Sequence, residues 1–494
     1  LFPQQTVAAG QRSPAAEAAI NDALDQGTLV LGYTGHGGPE ALADEKIITK
    51  ASLLALTNQN RLAFFVTGTC DLSTYDNPDY TSAGEAVLTD NLSAGAIGLF
   101  TTTRVVYSYQ NTQLVDSIYS QLLKRNAAGD LPYLGNASRL AKTLAAGGDL
   151  NNRNYTLLAD PTSMLAYPRQ RVIIDSINGR KVVSLQVSLD TLKALSKARL
   201  AGHIENRRAL NAGFNGTADI TIFDKPTTVN TLGDQTNPFV QVPVQVQENV
   251  VYSGQATVSA GRFRVNFIVP KDISYSVGVG KISLYAADYT NKVDAQGYQL
   301  VPIGGAAQGA AGDTTPPEVR LFMDDDSFVS GGLTGVNSLL LGKLFDLSGI
   351  NTSNAGVGHE LTATLDDDPT KLIVVNDSYT AAVDDFTHGQ LRYNYKSLAP
   401  GPHVLKVKAW DTYNNSGEGR VEFIAAQSAA LALDHVLNYP NPFSNTTTFH
   451  FDHNRTGQEL EVQVQIFTVA GRLVKTLHAN VLASTAHNQR CRHL

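Results

Sequence analysis

The chain has 494 residues, enough for three or four domains of ordinary size. Apolar residues make up 43% and charged residues 17%, which suits folded domains and excludes long disordered tracts. A formal net charge of −7 offers no electrostatic footprint for nucleic acid or an anionic membrane. No apolar run reaches the roughly 18 to 20 residues that span a bilayer as a helix. The chain begins at Leu1 with no signal-peptide pattern, so it reads as the C-terminal part of a longer polypeptide whose targeting signal lies upstream. Its two cysteines, Cys70 and Cys491, make neither a disulfide framework nor a metal-ligand spacing.

In chain order, "TLVLGYTGHGG" (Thr28 to Gly38) predicts a short strand that runs into His36 between glycines. "KASLLALTN" (Lys50 to Asn58) has helical spacing, and "RLAFFVTGTC" (Arg61 to Cys70) is a second apolar strand, this one ending in Cys70. Strand, helix, strand over so short a span is a βαβ unit with parallel strands. Both strand ends then lie on one edge of the sheet, where open α/β sheets place their ligands, and His36 and Cys70 become neighbours. "SAGE" (Ser82 to Glu85) has capping-box spacing and opens a helix to about Asn91. A third strand at Gly95 to Thr103 and a helix from Asn111 to Lys124 follow. "YLGNASRLAKTLA" gives a further helix, and "NYTLLADPTSMLAYP" gives a closing strand, a turn at Asp160-Pro161 and an exit at Pro168.

A histidine and a cysteine at parallel strand ends suit nucleophilic catalysis. A free thiol is only a few per cent ionised at neutral pH, and an adjacent imidazole raises that fraction. Acyl transfer also needs backbone N–H donors for the developing oxyanion, and Gly37 and Gly38 let a backbone come close to a substrate. Each residue alone has a plainer reading: His36 as a turn residue, Cys70 as a small inert hydrophobe. Asp71 and Asp76 read as solvated loop charge, with lining of a specificity pocket as the alternative.

"YTGHGG" followed by "FFVTGTCDLSTYDNPDYTSAGE" resembles the gingipain-type cysteine peptidases, and within them the sortases of type IX secretion. "GAIGLFTTTRVVYSYQNTQL" and "LLADPTSMLAYP" fit the same pattern, so the resemblance runs from about Leu29 to Pro168. It implies an α/β caspase-like fold for residues 1–168, incomplete at its N-terminus. It also implies that Cys70 is the nucleophile, that His36 is its general base and later acid, and that the N–H groups of Gly37 and Cys70 form the oxyanion hole. The polar residues after Cys70 would then belong to a substrate groove. The family places an acid that orients the histidine well upstream, and Glu17, Asp22 and Asp25 do not match it.

After Tyr167, Val, Thr, Asn and Asp dominate and the pattern becomes alternating. Residues 169–302 read as a β-sandwich domain, 303–318 as a Gly/Ala linker with a Pro-Pro end, and 319–425 as a second sandwich. Both sandwiches are expected to be Ig-like, and both resemble the domains that follow the peptidase domain in those sortases. Asp324 to Asp326 and Asp366 to Asp368 are acidic turns, read as exposed loop charge with structural calcium as the alternative; no other cofactor is expected and no catalytic metal. His359, His388 and His403 read as surface or strand residues. Residues 426–494 resemble the C-terminal domain that marks type IX secretion cargo. The end, "HANVLASTAHNQRCRHL", shows no strand alternation, so this domain reads as truncated and Cys491 as without function.

The resemblance implies a cysteine endopeptidase at the surface of a bacterial outer membrane. It would remove the C-terminal sorting domain from secreted cargo and pass the cargo to an anionic lipopolysaccharide, alongside other outer-membrane components of that secretion system. The alternatives are a secreted general protease, and an inactive cell-surface β-domain protein.

Overall fold

The computed structural model describes residues 2–8, 10–91, 94–126, 129–145, 150–183, 190–233, 240–309, 312–356, 358–426, 433–453, 460–468, 473–481 and 488–490. They divide into two compact units, one formed by Leu1–Arg169 with Val229–Val244 and the other by Gln170–Thr228 with Gln245–Leu494.

The first unit is an α/β layer structure. Its sheet has the order β1 (Val30–Thr34), β2 (Ala63–Gly68), β3 (Ala96–Thr102), β4 (Tyr155–Leu158). β1, β2 and β3 are parallel and β4 is antiparallel to β3. Every residue of β2 is buried, as a central strand covered on both faces must be, and so it reads as an unbroken apolar run in sequence. Its side chains alternate between two cores. Phe64 and Val66 pack with Leu114 and Ile118 of α4 (Ser108–Leu122) and with Leu134 and Ala137 of α5 (Leu134–Leu144). Phe65 packs on the opposite face with Leu24 of α1 (Pro14–Gln26), Leu53 of α2 (Lys50–Leu54) and Val87 of α3 (Ala83–Thr89). Truncating Phe64 or Phe65 to alanine is therefore expected to cost about 3–5 kcal/mol.

Local chemistry sets the helix starts. At α3 the Ser82 N–H donates to Glu85 at 2.8 Å, and the Ser82 side chain takes the N3 backbone, a complete capping box. α2 is shorter than its sequence period predicts, because the helix stops at Leu54 and Asn58 instead turns inward to bind the Gly95 backbone. A short last helix, α6 (Leu150–Asn154), precedes β4.

The second unit is all β. Its larger sheet holds 14 strands among the described residues. Part of its path runs β6 (Lys197–Asn206), β5 (Gln170–Ile177), β10 (Val293–Ala306), β9 (Gly278–Asp288), β7 (Gly216–Phe223), β8 (Val250–Val258), then β13 (Tyr379–Val383), β14 (Asp385–Tyr395), β12 (Ser338–Phe345), β11 (Glu318–Met323). The stretches 169–302 and 319–425 thus meet edge to edge through the parallel pair β8–β13, with Gly254 opposite Ala381. They share one core that runs from Val172 to Ala425. Residues 303–306, glycine-rich enough to read as linker, are the end of β10, where Gly278 pairs with Ile303.

Near the C-terminus, Leu460–Phe467 pairs with Leu473–Val481, and Asn488–Arg490 adds to Thr448–His453. The closing segment therefore contains strand residues, including His478 to Val481, that its weak alternation did not predict. Cys491 lies outside the described residues.

Candidate active site

His36 and Cys70 occupy equivalent places past the ends of adjacent parallel strands. The β1–β2 register pairs Thr34 with Gly68, so each of the two residues lies two positions beyond that pair. One further bond, from the Gly35 N–H to the Gly68 carbonyl at 3.1 Å, holds the two chain segments together past the ladder. The backbone register thus gives equivalent positions to the two residues that the strand-end argument singles out, although the groove that His36 lines does not include Cys70.

The His36 turn is braced through its backbone. Tyr33 Oη donates to the His36 carbonyl at 2.5 Å, and the Ala43 N–H donates to the same oxygen at 2.9 Å. Burial pushes the Tyr33 phenol upward, which keeps it a donor throughout the physiological range. The Gly38 N–H bonds to Ala41 O at 3.0 Å, and Gly37 faces Leu42 at the non-bonded position of that short ladder. The Gly37 N–H therefore takes no part in those ladder bonds. A Cβ on Gly37 would lie 2.4 Å from Thr69 Oγ1, so only glycine lets this turn seat against the residue before Cys70. The His36 side chain is exposed and opens onto a groove of about 640 Å³, lined also by Glu40, Asp44, Lys46 and Tyr80.

Cys70 is partly buried. Its Sγ–H donates to the Val106 carbonyl at 3.8 Å, on the chain that leaves β3. Among the described residues no hydrogen bond joins Cys70 to the His36 ring. The thiol also lies near Tyr155, whose phenol is pushed far up by burial, with the thiol's charge adding to that effect, and which binds Asn111 Oδ1.

Of the residues after Cys70, Tyr80 lines the groove beside His36, but the first few do not. Leu72, Ser73 and Thr74 are buried, and their backbone is pinned by Thr102 O, the Gly84 N–H and Ser82 Oγ. Of their polar side chains, Thr74 Oγ1 bonds internally to Tyr80 Oη at 3.2 Å, a use that sequence pattern does not separate from solvation. Thr102 Oγ1 donates to Thr69 O at 2.6 Å, and Thr67 bonds Thr101 across the two strands at 2.6 Å. Thr69 Oγ1 and Ser73 Oγ are buried with no partner. Asp71 takes a left-handed backbone (φ 51°), and burial pushes its carboxyl up, with Arg104 opposing. Asp76 is bound by Arg104. Asp25 binds the Thr57 N–H and hydroxyl, a brace between α1 and the chain after α2.

The acidic turns of the second unit are occupied by protein donors. Asp324 takes Thr334 Oγ1 and the Leu339 N–H, Asp326 takes Lys343, Asp366 takes His403 and Lys371, and Asp368 takes Thr370. The carboxylates that converge are others: one oxygen each of Asp313, Asp346 and Asp411 lie within 4.8 Å of one another. These are the described residues that could hold an oxygen-liganded cation. His403 is a strand residue, within Gly401–Trp410, and is buried: its Nδ1 faces Asp366 at 2.9 Å and its Nε2 donates to Ala399 O at 2.6 Å. His359 and His388 likewise pair with Asp272 and Asp385. No helix among the described residues is long and apolar enough to cross a membrane.

Residues 1–166 match the model of a family described as peptidase family C25. Among solved structures, the chain is similar to dimeric latent PorU from Porphyromonas gingivalis, with 29% identity, a TM-score of 0.34, and coverage of 80% of this chain and 37% of that one. It is also similar to the complex of Porphyromonas gingivalis RgpB pro- and mature domains, with 16% identity, a TM-score of 0.29, and coverage of 58% and 57%. The chain thus spans little more than a third of the PorU chain's length. No curated protein matches it.

Proposed function

We propose that residues 1–166, which match the model of peptidase family C25, form a gingipain-type cysteine peptidase domain with Cys70 as its nucleophile and His36 as its general base. The observation that carries this reading is the equivalent placement of the two residues past the paired ends Thr34 and Gly68. The first unit is then read as the C-terminal part of a caspase-like domain, and the second as Ig-like sandwiches.

In the reaction, His36 takes the Cys70 proton and the thiolate adds to a peptide carbonyl carbon. The carbonyl oxygen becomes an oxyanion between the N–H groups of Gly37 and Cys70. Collapse breaks the C–N bond, the imidazolium returns its proton to the leaving amine, and the acyl group remains as a thioester on Cys70. Water then gives hydrolysis, whereas an amine gives transfer. A positioned amine outcompetes bulk water because effective molarities in oriented systems, about 10⁵ M and above, exceed the ~55 M of water.

The finer reading is a sortase of type IX secretion. It acts at the outer-membrane surface, removes the C-terminal sorting domain of cargo and joins the cargo to an amine on anionic lipopolysaccharide. Support for it is the resemblance of both the peptidase stretch and the β-domains to those sortases. The test uses the full-length parent, cargo and acceptor, with mass spectrometry of the cargo's new C-terminus. An amide-linked acceptor, lost in Cys70→Ala, is expected. A free carboxylate on essentially all cargo molecules would identify a hydrolytic protease instead.

A further inference from the structure

The chain that leaves β3 is held by asparagine side chains on both sides of Val106. Asn151, 1% exposed on α6, donates Nδ2–H to Tyr107 O at 2.8 Å and accepts the Tyr107 N–H at 3.0 Å. Asn154 donates Nδ2–H to Val105 O at 2.8 Å, and its own carbonyl takes the Thr103 N–H at 2.8 Å. Three successive carbonyls thus have separate partners: Val105 O takes Asn154, Val106 O takes the Cys70 thiol, and Tyr107 O takes Asn151 together with the Asn111 N–H at the start of α4. The side chains alternate accordingly. Val106 is buried, whereas Val105 and Tyr107 are 60% and 61% exposed, so the segment is not anchored by their packing. The asparagine bonds fix its peptide planes.

We propose that Asn151 and Asn154 are positioning residues for Cys70: by clamping the peptides that flank Val106, they hold its carbonyl as the resting acceptor of the thiol. The bond to Val106 O engages the S–H and turns the thiol toward β3. Before attack, the thiol must leave Val106 O and give its proton to His36. This inference rests on the reading of Cys70 as nucleophile, but it concerns the resting hydrogen bond of the thiol and can be read without turnover.

The test is the rate of iodoacetamide modification of the Cys70 peptide in the 494-residue chain, followed by mass spectrometry from pH 6 to 10. Asn151→Ala and Asn154→Ala should each speed modification at pH 6.5 by about three- to tenfold, the factor one ordinary hydrogen bond is worth. At pH 10, where an ordinary thiol has lost its proton and there is no S–H left for Val106 O to hold, the rates should converge. Arg153→Ala, on the exposed face of the same helix, should match the wild type throughout. Mere loosening of structure would raise the rate at pH 6.5 and pH 10 alike, and that outcome overturns the proposal. So does an unchanged profile in the folded variants. Where Asn151→Ala does not fold, as judged by thermal melting, the half-buried Asn154→Ala carries the comparison, with Asn154→Ser expected to lie nearer the wild type.

Discussion

Asp76 and Arg104 close a two-point ion pair across the loops that leave β2 and β3, with Nη1 at 2.9 Å from Oδ1 and Nη2 at 2.5 Å from Oδ2. Both side chains are about half exposed, so the pair serves chiefly to tie two loops beside Cys70. The Arg104 hydrogen bonds hold the Asp76 carboxyl below its ordinary range. A lowered folded value gives stability that is present above the unfolded value, near 3.9, and is lost as pH falls through the folded one.

Asp76→Asn should therefore melt slightly below the wild type at pH 7, and the two curves should converge as pH drops below about 4. Raising salt at pH 7 should narrow the gap as well, since an exposed pair is screened. A gap independent of both pH and salt would assign the effect to something other than this pair.

The approach of Gly37 to Thr69 sets a second expectation. Gly37→Ala puts a methyl 2.4 Å from Thr69 Oγ1 and 3.2 Å from Ala41 O, and should destabilise the first unit by about 1–3 kcal/mol in chemical denaturation. Thr69 Oγ1 is buried without a partner, so Thr69→Val should be near neutral or stabilising. Thr69→Ala removes the nearest clashing atom and should recover part of the loss when combined with Gly37→Ala. Simple additivity in that cycle would place the strain elsewhere.

Asp346 gives the opposite pH sign to Asp76. Burial, with Asp411 and Asp313 nearby, pushes its carboxyl above the ordinary range, against two hydrogen bonds from Ser348. Its contribution is complete below about pH 4 and is lost as pH rises through the folded value. Asp346→Asn keeps the oxygen that accepts from Ser348, so its melting temperature relative to the wild type should rise between pH 4 and pH 7. Calorimetry at the two pH values checks the sign.

His36→Ala should slow alkylation of Cys70 at pH 6 to 7 in the full-length parent, since an imidazole two residues past the same register pair is the available proton acceptor. Mass spectrometry of the labelled Cys70 peptide reads the rate directly. Equal rates in the variant and the wild type would separate the two residues chemically.

What the sequence made legible follows from which partners are near in the chain. The strand ends at His36 and Cys70 could be read because apolar runs stop beside glycines, and the Ser82–Glu85 box because it closes within one helical turn. Asn151 could not be read: its partner Tyr107 is 44 positions away, and an asparagine in "LNNRN" looks like any polar surface residue. His403 was hidden in the same way, since the Asp366 that makes its burial tolerable is 37 positions distant. Glycines at 304 and 305 suggested flexible linker, yet Gly304 seats against the Ser276 and Val277 backbone, where a side chain would clash. Composition measures freedom in the unfolded chain, not what the folded neighbours leave room for.

The edge-to-edge pairing of β8 with β13 has a mechanical meaning. Tension that crosses from residue 306 to residue 318 is carried in parallel by the ladder at Gly254 and Ala381 and by the common core, not by the peptide alone. Among the described residues the two β-blocks are joined in one sheet over one core, and they should move as one girder. A single proteolytic nick at Gln308 should leave both pieces travelling together on a sizing column, and should part them only when the sheet itself is denatured.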